Sequence, residues 1–248
     1  MIVKSNRELK ALYSELCRGD VFIGNLSLKH LKQSLLIDML ERGILCLPSA
    51  LSQILNSSKV AQAFLLREWM LPFTFVVLRR ADLIESVNAF NANQVGSVVT
   101  KQDSMHCGHG ISKWESIETL YSFVALSQSA YPFVVQPFQE KFTDVRVICV
   151  GDYVEAYTRY NPHNFRVNLT LGGTGAPYPL TGEQEAFCRG VMRRAKFPFA
   201  HLDLMIVENG GCYLSEIALN GGIKGARIDR QELDQKKKAL LEKLAKDS

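Results

Sequence analysis

The sequence lacks any apolar run approaching the roughly 18 residues that a membrane-spanning helix requires; the longest, around residues 73–78, has the length of a strand. That absence excludes a helical membrane protein. The opening MIVKSNRELK places charges where a signal peptide needs its apolar segment, so a cytoplasmic protein is expected. The 248 residues include six cysteines but no C-x-x-C pair. Five of them lie within apolar runs, as buried free thiols do, which argues against a disulfide framework or a structural zinc site. Charge of one sign is also scarce: 29 Lys and Arg oppose 25 Asp and Glu. The one basic run, KKK from Lys236, reads as the solvated face of a final helix, so neither nucleic acid nor membrane is expected as a partner. Internal repeats and low-complexity segments are absent.

What the chain does have is 47% hydrophobic residues arranged in alternating helical and strand patterns, the signature of α/β packing. Ser5 is placed to cap a helix ending before Gly19, and DVFIG follows as a strand. A second helix fits Leu28 to Glu41, with Leu31, Leu35, Ile37 and Met39 near one face, and ILCLP closes a small β-α-β unit. Ser57 or Ser58 can cap a helix containing Lys59. The strand LPFTFVVL, the helix ADLIESVNAFN and a strand ending at Lys101 come next, then a loop over 102–110. A helix from about Trp114 to Ser129 precedes the strand YPFVVQPF, whose prolines predict an edge or a segment end. From Asp144 the pattern becomes hairpins. DVRVICV and YVEAYTR, joined by Gly-Asp, put Val145, Val147, Cys149, Val154 and Ala156 on a dry face. Asp144, Arg146, Glu155, Tyr157 and Arg159 occupy the other, which faces solvent or lines a site.

The segment HLDLMIVENGGCYLSEI speaks most directly of chemistry. Asn209-Gly210 between alternating apolar residues predicts a two-residue hairpin turn. With Glu208 opposite Gly211, Asp203 falls directly opposite Glu216. Two facing carboxylates repel unless a cation lies between them, and hard oxygen donors in small number suit magnesium, which completes its shell with water and phosphates. A register shift that leaves both acids exposed is the competing reading. Lys59 and Lys101 are candidate phosphate contacts, and Gly108 and Gly110 would let the loop after Lys101 approach phosphates closely, although each alone is a weak signal.

The ordered run of Lys59, VVTK with its glycine loop, VVQPF, DVRVICVGD, FRVNLTLGG, and HLDLM with LSEIALNGG resembles the ATP-grasp superfamily. It is most similar to the branch whose ligases add glutamate to a ribosomal protein or to small acceptors, over about residues 20 to 228. The resemblance implies an α+β ATP-grasp fold: two α+β subdomains enclosing a nucleotide cleft, preceded by a shortened α/β pre-ATP-grasp unit. The corresponding divisions are 1–58, 59–131 with the glycine lid loop, and 132–248 with the metal site. It implies that Lys59 and Lys101 contact ATP phosphates beneath a lid at Gly108 and Gly110, that Gln136 to Phe138 receive adenine, and that Asp144 meets the ribose. Arg146 and Arg166 would face the transferring phosphate, with Asn168 in the same R-x-N motif, while Asp203 and Glu216 match the metal carboxylates.

Two positions depart from the family. Pro137 stands where relatives commonly have an acid, and Ala218 stands where the metal motif E-x-N has its asparagine, leaving Asn220 as a substitute ligand. Lys224 and Arg227 add charge that could receive an acidic substrate. The implied activity is an ATP-dependent carboxylate-amine ligase using ATP and Mg²⁺, or Mn²⁺ in its place. It would join a carboxylate donor to an amine acceptor in an amide-like bond through an acyl phosphate, adding an amino acid to an acidic small molecule, peptide or protein, and release ADP and phosphate. The alternative is a non-catalytic nucleotide-binding or partner-binding module of the same fold. The short N-terminal unit leaves a side that a second subunit of a homo-oligomer could complete.

Overall fold

The computed structural model describes residues 1–248 except 29, 104, 106–109, 166–168, 170, 171 and 248, and the side chain of 128. Gly108, Arg166 and Asn168 thus lie outside the described residues. The N-terminal part comprises β1 (Ile2–Val3), α1 (Asn6–Leu12), β2 (Val21–Ile23), α2 (Lys32–Glu41) and β3 (Leu45–Leu47), its strands paired in parallel. The Ser5 hydroxyl accepts from the Glu8 amide and caps α1, satisfying one of the helix's unpaired donors. The expected inward face of α2 is corrected. Leu36 and Met39 are buried, whereas Leu31 and Ile37 are exposed. The helix begins at Lys32, so Leu31 falls outside it, and Ile37 is rotated about 100° from Leu36.

After α3 (Ala50–Leu55) and α4 (Lys59–Leu65), a second sheet contains β4 (Phe75–Val77), β5 (Val98–Gln102), β6 (Ile111–Trp114) and β7 (Phe133–Pro137). Its order is β4-β7-β5-β6, and α5 (Arg80–Ala92) and α6 (Ile117–Val124) back it over Val77, Leu83, Phe90, Ile117 and Phe133. Where a helix is expected from Trp114, β6 occupies that residue and α6 starts at Ile117. The cause is Ser116, whose hydroxyl accepts from the Thr119 amide and sets the helix start. β7 is interior, not an edge, and of the two expectations the segment end holds, since Pro137 is its last residue. It tolerates Pro137 because β4 pairs only with residues 133–135, so the missing N–H breaks no bond on that side. The division at 131/132 remains a proposal about domains, but hydrogen bonding assigns β7 to this second sheet.

The third sheet is antiparallel, in the order β11-β10-β8-β9, from β8 (Phe142–Val150), β9 (Tyr153–Arg159), β10 (Phe199–Val207) and β11 (Cys212–Ala218). Its apolar face, with Val145, Val147 and Cys149 fully buried, packs with α7 (Gly182–Ala195), and α8 (Arg230–Lys246) closes the chain. Lys237 departs from the solvated-face reading of the KKK run: it is 6% exposed, its ammonium donating to the Leu219 carbonyl at 2.8 Å. Among the described residues no helix is long and apolar enough to cross a membrane.

The hairpin of β10 and β11 reaches the expected pairing by an unexpected route. The Val207 amide donates to the Gly211 carbonyl, so the turn has three residues, with Gly210 at φ 82°, rather than two. That alone would shift every pair by one. A bulge beyond Leu204↔Leu214 restores the register, so Asp203 does oppose Glu216, and Ser215 is the extra residue. The bulge answers a packing demand. Leu214 and Ile217 are both buried, and three residues apart on a regular strand they would face opposite sides.

The free edge of β11 is covered by side-chain amides. Gln62 on α4 donates to the Ile217 carbonyl at 2.9 Å and accepts from its amide at 3.0 Å, as a neighbouring strand would, and the Asn56 carboxamide oxygen accepts from the Leu219 amide at 2.7 Å. Replacing Gln62 with leucine strands a buried N–H and C=O. Urea titration is expected to register a loss of about 2–4 kcal/mol, and an unchanged midpoint would refute this role.

Candidate active site

Of the polar face of the third sheet, Asp144, Arg146 and Arg159 line the floor of a cavity of about 550 Å³ roofed by the second sheet, whereas Tyr157 is buried in the core and Glu155 is paired with Arg227 away from it. Lys59, Lys101, Gln136, Phe138, Asp144, Arg146, Asp203, Glu216 and Asn220 all line it. The elements explain the convergence. Lys101 is the penultimate residue of β5 in the roof, Lys59 opens α4, and alternation on β8 and β10 turns Asp144, Arg146 and Asp203 to the same side. Gly110 is not among the lining residues; its carbonyl accepts from the Gln102 amide at 2.8 Å, tying the end of the loop to β5.

One end of the cavity is apolar, walled by Val99 and Ile111 above and Phe142 and Met205 below, with Phe138 and Phe165 edge to face at 6.2 Å. The Lys113 ammonium sits 3.7 Å from the Phe138 ring centre.

The middle is charged. Arg146 donates through Nε and Nη2 to the two oxygens of Asp203, both at 2.8 Å. Arg159 donates to Asp144 at 2.6 Å and lies 3.0 Å from Asp203. Burial opposes charge on Asp203, but the two guanidiniums outweigh it and hold its carboxyl well below the usual range. For Asp144 burial prevails, raising the carboxyl to about 6 against the pull of Arg159. The Lys59 ammonium lies 3.3 Å from Glu216 and also donates to the Met105 carbonyl. Lys101 donates to the carbonyl and hydroxyl of bulged Ser215, at 3.1 and 3.2 Å.

Burial brings the Lys101 ammonium down to about 8, with Glu216 opposing and Lys59 assisting. If Lys101 must be charged to hold phosphates, nucleotide affinity is complete at neutral pH and falls as pH rises through about 8, by up to roughly tenfold per unit. Because the folded value lies below the unfolded one, the cost of burying this charge is relieved over the same range, so Lys101 favours stability of the free protein as pH rises. Calorimetric titration with a non-hydrolysable ATP analogue on both sides of pH 8 checks this, and a flat profile would contradict it.

Several residues here escape sequence reasoning. Arg159 was legible, since the Gly-Asp turn sets Asp144 opposite it. Ser215 depends on the bulge, and Arg230 at the start of α8 lines the cavity with no local signal. His201, two residues before Asp203, lines it too and is 2% exposed, its Nδ1 without a partner among the described residues. Burial, with Lys237 nearby, lowers its imidazole to about 3. Lys224 and Arg227 do not line the cavity. Lys224 donates to the Leu169 carbonyl at 2.9 Å, and Arg227 is drawn to buried Glu155.

The family model described as RimK-like ATP-grasp domain matches residues 63–241. The chain belongs to the RimK-like ATP-grasp family. Its fold matches that of solved ATP-grasp ligases. The ligase PsnB, in complex with a phosphomimetic precursor variant, Mg and ADP, superposes with a TM-score of 0.60 at 17% identity, over 96% of this chain and 71% of that one. The D-cycloserine synthetase DcsG gives 0.63 at 14% identity, over 91% and 83%. A Chryseobacterium gregarium RiPP-associated ATP-grasp ligase, bound to ADP and a leader and core peptide, gives 0.62 at 13% identity, over 92% and 77%. No curated protein is significantly similar in sequence. In this RimK-like member, the cleft between the second and third sheets is the part of the fold to which an activity must be assigned.

Proposed function

We propose that this RimK-like protein is an ATP-dependent carboxylate-amine ligase acting through an acyl phosphate. The observation that carries the reading is the pair Asp203 and Glu216, face to face in register, with Lys59 and Lys101 reaching them from α4 and the roof. ATP would lie with adenine against the apolar wall beside Gln136 and Phe138, its ribose near Asp144, and its phosphates toward Lys59, Lys101 and the loop containing Gly108 and Gly110. Arg146, with Arg166 and Asn168, is proposed to hold the transferring phosphoryl group.

The donor set fits one magnesium ion. Two facing carboxylates supply hard oxygens, and Asp203 can keep its arginines while sharing remaining lone pairs. Among the described residues no three His, Cys, Asp or Glu side chains cluster as a metal site, and the Asn220 carboxamide oxygen, expected from the sequence as a substitute ligand, accepts from Lys237 at 2.9 Å, so Asp203 and Glu216 are taken as the protein ligands and the rest of the shell is left to water and phosphates. When bound, magnesium or manganese would neutralise charge on the β- and γ-phosphates.

The side chains then have definite tasks. A carboxylate oxygen of the donor attacks the γ-phosphorus and ADP leaves. The acceptor amine attacks the acyl carbon, phosphate leaves, and the amine loses a proton. Arg146, Lys59 and Lys101 offset the negative charge that these steps bring together. Exclusion of water from the cleft would protect the acyl phosphate from hydrolysis. Precursor and core peptides bound in two of the solved relatives support including peptides among the candidate substrates, beside the small molecules suggested by the D-cycloserine synthetase. The reading places the enzyme in the cytoplasm and is compatible with a homo-oligomer.

Incubation with Mg²⁺, ATP and pools of amino acids, acidic compounds and peptides tests it through release of ADP and phosphate. The second reading, a non-catalytic module, draws on Ala218, which cannot act as a metal ligand. It requires nucleotide binding without turnover across the whole panel.

A further inference from the structure

Beyond Asp203 and Glu216, at the end away from the apolar wall, the cavity is lined by Asn56, His201, Ala218, Asn220, Gly221 and Arg230. Its polar atoms are one-sided. Every acceptor there for which a bond is described is taken: the Leu219 carbonyl and the Asn220 carboxamide oxygen by Lys237, the Gly221 carbonyl by Arg230 at 2.8 Å, and the Asn56 carboxamide oxygen by the Leu219 amide. The neighbouring Gly222 carbonyl accepts from both Arg146 and Tyr157. The donors are left over. Asn56 and Asn220 each have an amide nitrogen with no acceptor among the described residues, and Arg230 uses a single N–H and has no carboxylate partner.

His201 adds the deepest of these donors. Its Nε2 faces the Lys237 ammonium at 3.4 Å. An ammonium can only donate, so Nε2 accepts and the proton belongs on Nδ1, the buried nitrogen without a partner. The ring lies against Gly221, where a Cβ would come within 2.9 Å of Nδ1. Ala218, directly opposite His201 in the strand pair, contributes no polar atom to compete.

A cavity end whose described side-chain acceptors are already bonded, and whose described donors are left over, is matched by a group that accepts and does not donate, and with a guanidinium among the donors that group is an anion. We propose that Arg230, His201, Asn56 and Asn220 form a carboxylate subsite that seats an acidic group of the substrate. The proposal rests on the ligase reading, since it takes the phosphates to lie with Lys59 and Lys101 rather than here. It also assigns the recognition of acid to Arg230, in place of Lys224 and Arg227.

The test uses the full chain with isotope-labelled histidine, loaded with Mg²⁺ and a non-hydrolysable ATP analogue, and probes it with glutarate, glutaric diamide and inorganic phosphate. Failure to bind the analogue would count against the ligase reading itself. With the analogue bound, glutarate is expected to shift the His201 imidazole signals saturably at millimolar concentration, with at least tenfold weaker binding in Arg230→Met, partial recovery in Arg230→Lys and no shift from the diamide. Absence of a saturable shift, an equal response to the diamide or to phosphate, or indifference to Arg230→Met would overturn the subsite while leaving the ligase reading in place. Replacing the analogue with ATP and adding hydroxylamine separates two sources of the same chemistry. Hydroxamate formed from glutarate means that the seated carboxylate is the one activated; binding without hydroxamate means that it is a second, recognition carboxylate. Either result upholds the subsite.

Discussion

Asp203→Asn is expected to abolish magnesium-dependent ATP turnover, by a factor of about 10² to 10³ or more, and to cost about 3–5 kcal/mol of stability. The shape of the side chain is kept and only its charge is removed. Arg146 and Arg159, with side chains 18% and 10% exposed, then share a single buried carboxylate, that of Asp144. The stability loss has a defined pH dependence. The Asp203 carboxyl is held well below its ordinary value of about 3.9, so its stabilising contribution is complete above that value and disappears as pH falls through the depressed one. Wild type and variant should therefore differ fully at neutral pH and converge on acidification, as measured by urea titration at several pH values. A gap that does not depend on pH, or turnover that survives, would remove Asp203 from this role.

Arg159→Met carries the second large effect. Arg159 is the group that restrains Asp144, whose carboxyl burial has already pushed up to about 6. Without it Asp144 becomes largely neutral at pH 7, and Asp203 keeps only Arg146. The expected loss is about 3 kcal/mol, together with a nucleotide affinity reduced on the order of tenfold if a charged Asp144 meets the ribose. Here the sign is opposite to that of Asp203. An acid whose folded value is raised contributes stability while it is protonated and loses that contribution as pH rises through the raised value. The variant should thus lie closer to wild type at pH 5 than at pH 8. Arg159→Lys, which restores one charge without the fork, should recover part of the stability. Equal losses at both pH values would show that Asp144 titrates independently of Arg159.

How far the sequence is legible follows from which signals are local. Strand alternation on β8 and β9 places Asp144, Arg146 and Arg159 on the site side and Val145, Val147 and Cys149 in the core, because a regular strand keeps a period of two, but it does not reveal that Tyr157 is buried and that Glu155 pairs with Arg227 outside the cavity. Caps at Ser5 and Ser58 are equally local. The α2 face was not legible, because apolar residues on several sides of a short helix leave its orientation to its neighbours. Burial of Lys237 depends on the Leu219 carbonyl, contributed by a distant turn. The pairing of Asp203 with Glu216 was legible only because two one-residue deviations cancel, the longer turn and the bulge. Their sequence trace is the spacing of Leu214 and Ile217, which no unbroken strand can bury together.

That bulge has a consequence for chain length. Deleting Ser215 would place Leu214 and Ile217 two residues apart, an ordinary strand spacing, with both still facing the core and Asp203 still opposite Glu216. The hairpin can therefore lose this residue and fold unchanged, whereas Lys101 would lose both oxygens that now hold its ammonium in place. Among homologous chains, a one-residue gap at this point in an alignment would leave the architecture intact and mark a change in how the roof lysine, Lys101, is positioned.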